Sequence, residues 1–509
     1  MALTSLKFLL FVFAAVLGYY VIPRRFQWMW LLLFSYVYYL AGGYKIGFFL
    51  IFTTLTTYGC ALGMEYIAGK ASGKKEARKK KRWLVFTGML LNFGMLAVLK
   101  YTNFAIINVN RLFGCDFRAV DFLLPLGISF YTFQSMGYLM DVYWEKVKAE
   151  RNPFRFALFV SFFPQILQGP IGRYSRLACQ LFEPHAFGLQ QITRSLELIL
   201  WGFFKKMVLA DNAAVFADAI FGEPEKYSGL AIAGVLAYSI QLYGDFSGGM
   251  DVVQGIAGLF GITLDENFRR PYFAVSVTDF WHRWHITLGT WMKDYVFYPV
   301  SLSGFMGKFG KSARKKFGKT LGRALPICIA NIIVFLLVGI WHGAAWKFIA
   351  YGLYNGLIIG VSGIMAPNYR KWKSALHIKN DSRGFYVFQV LRTFVLVNIS
   401  WFFDRADTVR DAVYMMRQAV TTFDWSPLLT IPATVGGSQY NGFILTALIM
   451  GTLILFAVSF LQEKGVSVRT SLEAKPAALR LCLYLLLLFA IPIFGNPPMT
   501  SGGFIYANF

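Results

Sequence analysis

Residues 324–366 read ALPICIANIIVFLLVGIWHGAAWKFIAYGLYNGLIIGVSGIMA. Two apolar runs, 324–341 and 344–366, meet at His342. Each comes close to or exceeds the roughly 20 apolar residues a helix needs to cross a hydrocarbon core. The first run leaves a basic segment, 308–323, that holds Lys308, Lys311, Arg314, Lys315, Lys316, Lys319 and Arg323 and no acid. The second returns to Arg370, Lys371 and Lys373. Short basic segments mark the cytoplasmic ends of spans, so the stretch predicts a helical hairpin rooted in the cytoplasm with a histidine at its tip. The 18 residues of the first run rise about 27 Å as a helix. His342 should therefore lie deep in the membrane or towards its outer side. An ionisable group there is a functional candidate by default; the alternative is a neutral histidine hydrogen-bonded between helices. Trp341 and Gly343 flank it with a bulky wall and an open backbone approach.

The same patterning runs through the whole chain. Of 509 residues, 56% are hydrophobic and 15% charged, against about a quarter charged in soluble domains. Further apolar runs fall at 5–22, 27–42, 46–68, 83–107, 121–143, 155–170, 193–210, 228–244, 247–263, 385–403, 442–462 and 478–494. They predict an all-α polytopic membrane protein with about 11–13 crossings. All should be helices, because an unpaired backbone group in lipid is too costly. No polar stretch is long enough to fold alone, so 1–509 reads as one membrane domain. Within it, N-terminal spans occupy 1–120, a core 121–366, and C-terminal spans with a tail 367–509. The first run has no small-residue cleavage site after it and reads as a retained span.

The net charge of +24 is spread over short loops. Residues 69–82 carry Lys70, Lys74, Lys75, Arg78, Lys79, Lys80, Lys81 and Arg82 against Glu76. Such loops orient the chain and attract anionic lipid. No recognition motif accompanies them, which argues against nucleic acid. Arg24 and Arg25 put the first turn inside and the N-terminus outside. The segments 69–82, 144–155, 308–323, 370–373 and 464–480 are then cytoplasmic, and the tail 495–509 is outside. The five cysteines are scattered without a CxxC pair and read as small hydrophobes.

Two regions depart from simple spans. Residues 241–275 set Asp245 and Asp251 around Gly248–Gly249 in an apolar stretch, where a glycine pair permits close approach or a break. The acid must be paired or protonated; it could orient a histidine, bind a cation, or pair with Arg269, Arg270 or Arg283. Residues 276–300 mix aromatics with polar groups and suit an interfacial or re-entrant helix. There, His282 and His285 are three apart and would share a helix face. Zinc would need further ligands, so no metal is expected. His185 and His377 read as surface residues. No GxSxG elbow or P-loop is present, nor a GxGxxG followed by an acid at the required distance, and the abundant glycine reads as helix packing.

The segments LPLGISFYTFQSMGYLMDVY (124–143), FFPQILQGPIGR (162–173), LYGDFSGGMDVVQGIAGLFGITLDENFRRPY (242–272), DFWHRWHITLGTWMKDYVFYPV (279–300) and GIWHGAAWKFIAYGLYNG (339–356) together resemble the membrane-bound O-acyltransferase (MBOAT) family. The nearest branch is the alginate O-acetyltransferase type, with teichoic acid D-alanyl transferases as cousins. The C-terminal GGFIYANF (502–509) resembles the aromatic ending of that branch. The resemblance implies a ring of helices around a central funnel. It implies that His342, in the WHG motif, is the intramembrane catalytic histidine. His285, in the FWxRWH motif, is the second, with Trp281, Arg283, Trp284, Asn267, Asp245 and Gln168 in support; His282 carries no role. It further implies acyl transfer, acetyl above all, from a cytoplasmic thioester to an extracytoplasmic polysaccharide in a bacterial cell membrane. The donor would be acetyl-CoA or an acyl carrier protein thioester, with no tightly bound cofactor. An extracytoplasmic SGNH-hydrolase-type acyltransferase would be the partner, docking on the tail. The competing readings are D-alanyl transfer to teichoic acid and, from another class, a transporter.

Overall fold

The computed structural model describes residues 3–70, 73–122, 125, 127–431, 434–435, 438–439 and 441–495. The tail from 496 onward, expected outside the membrane, lies outside the described residues, as do Leu124 and Leu126 of the motif 124–143. Among the described residues the regular structure is helical apart from one two-residue antiparallel pair, Thr434–Val435 with Ser438–Gln439, and an isolated bridge between Phe268 and Trp284. Seven of these helices are long and apolar enough to cross a membrane: Tyr44–Lys70, Lys75–Phe113, Gly304–His342, Trp346–Ala375, Arg383–Arg405, Gly442–Glu463 and Ala477–Phe494. This is a multi-pass membrane protein. Other apolar runs form shorter helices, such as Leu6–Val21 and Gln27–Leu40, or, over 155–170, the two pieces Pro153–Ser161 and Phe163–Gln168.

The chain divides into two compact units. Among the described residues the first holds those up to Phe203 together with Gly248–Asp265; the second holds Phe204–Ser247 and those from Glu266 to Gly495. In the first unit the helix Ile128–Tyr143 is buried along nearly its whole length, from Ile128 to Val142. It buries Ser129, Thr132, Gln134, Ser135 and Asp141 along with its apolar side chains. His185 is not the surface residue expected. Its Nδ1 lies 3.1 Å from the Tyr19 hydroxyl, its backbone N–H donates to Gln27 at 2.8 Å, and its ring covers Gly261. Burial holds its pKa below the ordinary imidazole value.

In the second unit the two apolar runs around His342 form a helical hairpin, and the basic segment below it departs from expectation. The basic segment 308–323 is helical, not a loop. Its lysines and arginines are good helix formers, and the reversal needs only one residue, Gly318, at φ 78°. The chain then folds back so that Gly322 lies against Arg314 and Gly310 against Pro326. The upper limb, 319–342, rises about 36 Å, enough to span. It packs on Trp346–Ala375 along a small-residue seam: a Cβ at Gly352 would strike the Phe335 carbonyl, one at Gly356 Ile332, one at Gly360 the Cys328 sulfur. Spaced four apart, these glycines let two backbones touch where lipid offers no hydrophobic drive to associate.

The runs 228–244 and 247–263 also differ from expectation. They form one helix, Ala231–Leu259, with no break at the glycine pair. The pair serves close approach instead: within the first unit, a side chain at Gly202 would strike the Gly248 carbonyl.

Candidate active site

The site grows from the polar stretch 266–300 of the second unit. Ser276 caps the helix Val277–Arg283, its Oγ accepting from the Asp279 N–H at 3.1 Å. The helix stops there because Trp284 turns extended and pairs antiparallel with Phe268. Arg269 N–H donates to the Arg283 carbonyl at 2.9 Å and Ile286 N–H to the Asn267 carbonyl at 3.0 Å. Between those bonds His285 takes left-handed backbone angles, φ 47° and ψ 53°, before Ile286–Met292 begins. A non-glycine residue held there stores strain of about 1–3 kcal/mol, a mark of functional sites. His282 and His285 therefore do not share a helix face.

Asn267 fixes the His285 ring. Its side-chain oxygen accepts from Thr287 N–H at 3.0 Å and Thr287 Oγ1 at 2.9 Å, and lies 3.2 Å from His285 Nδ1. A backbone N–H can only donate, so the atom is the oxygen and His285 Nδ1 carries the hydrogen. The lone pair is left on Nε2. Phe246 meets the ring edge-on at 4.8 Å.

His342 closes the helix Gly304–His342 and is buried. Trp341 stands between the two histidines, its ring 5.8 Å from His285 and 5.2 Å from His342. Tyr351 lies 5.0 Å from the His342 ring. Gly343 is needed for room, since a side chain there would enter the Phe348 ring. Asp404, at the end of Arg383–Arg405, brings Oδ1 to 3.5 Å from His342 Nδ1. That is close for charge and long for a hydrogen bond. Its Oδ2 accepts from the Tyr238 hydroxyl at 2.6 Å. Lys347 Nζ donates to the backbone carbonyls of Asp404 and Ala406 at 3.1 and 2.8 Å.

The structure gathers His342, His285, Trp341, Gly343, Trp281, Trp284 and Asn267 into one region of the second unit. Trp281 Nε1–H donates to Asn355 at 3.2 Å, and Trp284 packs on Phe280 and Trp401. Arg283 serves a clamp: it bonds Asp279 at 3.0 Å and Glu463 at 2.9 Å, and Glu463 also takes Arg270 at 2.7 Å. Asp245 pairs with none of the three arginines proposed. Its partner is Lys206, at 2.6 Å, which also reaches Asp211 at 2.8 Å. Lys206 sits in a π-helical turn, Phe204–Ala210, a form common at special positions. Gln168 belongs to the first unit, where both polar atoms of its amide are buried without a hydrogen bond among the described residues. Asp404, Asn355, Lys206 and Glu463 escaped the sequence reading. Two adjacent lysines inside the run 193–210, and lone acids ending the runs 385–403 and 442–462, were the signals available.

The model of the membrane-bound O-acyltransferase family matches residues 145–403, which contain His285 and His342 and end one residue before Asp404. The chain belongs to the MBOAT family. It is an acyltransferase. A protein of Pseudomonas aeruginosa named "Probable alginate O-acetylase AlgI" is 33% identical over 89% of this chain and 80% of its own length. A peptidoglycan O-acetyltransferase of Helicobacter pylori is 32% identical over 81% and 79%. A teichoic acid D-alanyltransferase of Bacillus subtilis is 28% identical over 53% and 66%.

Proposed function

We propose that this protein moves an acetyl group from a cytoplasmic thioester, acetyl-CoA, towards O-acetylation of an extracytoplasmic polysaccharide, with His342 as general base. The observation that carries the reading is the pair His342–Asp404, set against Trp341 and His285. With a carboxylate beside Nδ1, the hydrogen belongs on Nδ1 and the basic lone pair on Nε2. Nε2 takes the proton of an acceptor hydroxyl as its oxygen attacks the thioester carbonyl. The carbon–sulfur bond breaks, and the imidazolium returns the proton to the leaving thiolate. Asp404 and the carboxyl end of the Gly304–His342 helix stabilise that transient cation. His285, its ring fixed by Asn267, orients the donor. An extracytoplasmic SGNH-hydrolase-type enzyme, docked on the tail, completes transfer to the glycan.

The relatives support acetyl over D-alanyl transfer. Those named for acetylation of alginate or peptidoglycan align over more than four-fifths of this chain, the D-alanyltransferase over 53%. The test uses protein in nanodiscs given radiolabelled acetyl-CoA and, in parallel, an aminoacylated carrier protein. Acetyl release should fall by about 10²–10⁴ in His342→Ala with the protein still monodisperse. Wild-type turnover in that variant would remove His342 from the mechanism; turnover only with the carrier protein would replace the donor.

A further inference from the structure

Away from the histidines, in the first unit, lies a cavity of about 410 Å³ lined by Lys75, Arg78, Lys79, Arg82 and Tyr143. We propose that it is a binding site for a phosphate ester. The four bases stand at i, i+3, i+4 and i+7 near the start of Lys75–Phe113, so they share one face. Tyr143 ends the buried helix Ile128–Tyr143 and adds a hydroxyl. No acid lines the cavity. The nearby carboxylates are engaged elsewhere, Glu76 with Lys80 at 2.7 Å and Glu145 with Lys81 at 2.7 Å. Among the described residues none of the four bases meets a carboxylate. Four like charges on one helical face repel one another; a doubly acceptor-rich phosphate relieves them, and the two arginine forks match its geometry.

The level of the cavity names the favoured source. The bases end at Arg82, and from Trp83 the helix is apolar; Trp83 itself is exposed. On the preceding helix Lys70 sits 4.5 Å over the exposed Tyr66 ring. Exposed aromatics beside bases mark the membrane–water interface, where headgroup phosphates lie, and the positive-inside rule puts this face in the cytoplasm. An anionic phospholipid headgroup therefore suits the site; the phosphates of a soluble nucleotide share the chemistry. The proposal is independent of the role of His342.

The experiment titrates the purified full-length protein, in zwitterionic detergent at fixed salt, with phosphatidylglycerol-doped micelles and separately with adenosine 3′,5′-bisphosphate. Each base near a lipid surface is worth about fivefold in binding. Arg78→Gln/Arg82→Gln should thus weaken saturable binding about twenty-fold, and Lys75→Gln/Lys79→Gln, at exposed positions, similarly. Lys80→Gln removes one charge from the same helix off the cavity and should leave binding within twofold. This pattern with phosphatidylglycerol supports a headgroup site; the same pattern with the bisphosphate alone supports a soluble ligand. No saturation with either, or a per-charge loss in Lys80→Gln equal to that in the cavity variants, overturns the site in favour of a diffuse basic surface.

Discussion

Replacing Asp404 with asparagine isolates what its charge does. The amide keeps the volume and still accepts from the Tyr238 hydroxyl, while Lys347 continues to hold the Asp404 and Ala406 carbonyls. What disappears is a negative charge 3.5 Å from His342 Nδ1. At an effective dielectric of about 20, a unit charge pair at that distance is worth about 5 kcal/mol, or roughly three and a half decades in rate. Tyr238 already draws part of the carboxylate charge, so the expected loss is about 10²–10³ in kcat. KM should hold, because the imidazolium exists only during reaction. Asp404 acts through His342, so His342→Ala/Asp404→Asn should be no slower than His342→Ala alone. The assay is acetyl release from labelled acetyl-CoA by nanodisc-embedded protein. A kcat within threefold of wild type in Asp404→Asn, or a double variant whose loss is the product of the two singles, would refute the pairing.

Three further outcomes follow from the packing. Gly352→Leu should leave little monodisperse protein by fluorescence-detected size exclusion, since its side chain meets the Phe335 carbonyl and overpacking against backbone costs about 3 kcal/mol or more; Gly363→Leu, at open space, should behave as wild type. Lys206→Met should cost about 3–5 kcal/mol by stranding buried Asp211 and Asp245, and adding Asp211→Asn with Asp245→Asn should recover much of the melting temperature. His185 has a folded-state pKa below its ordinary 6.5. Its contribution to stability is therefore complete above that value and is lost as pH falls through the lower folded one. His185→Gln should accordingly flatten the decline in melting temperature between about pH 7 and pH 5.

The hairpin at His342 was legible because its signals are local. Apolarity, flanking bases and small residues four apart can all be counted along one segment. The spacing of His282 and His285 misled for the opposite reason. Helical periodicity assumes the helix continues, and here strand-like pairing between Phe268 and Trp284 pulls the chain out of it. Asp245 was correctly read as needing a partner, yet Lys206 lies in another helix and no period connects them. Asp404 is the same case. A lone acid at the end of an apolar run reads as an interfacial cap until the fold carries it to His342.

Glu463 ends the helix Gly442–Glu463 and grips both Arg270 and Arg283, the residues on either side of the bend that aims His285. That grip has a consequence for biosynthesis. The ribosome delivers His285 long before it delivers the carboxylate that fastens its bend. A chain halted anywhere short of residue 463 carries His285 on a bend whose two arginines lack their shared anchor. The bend around His285 is thus fastened late in translation.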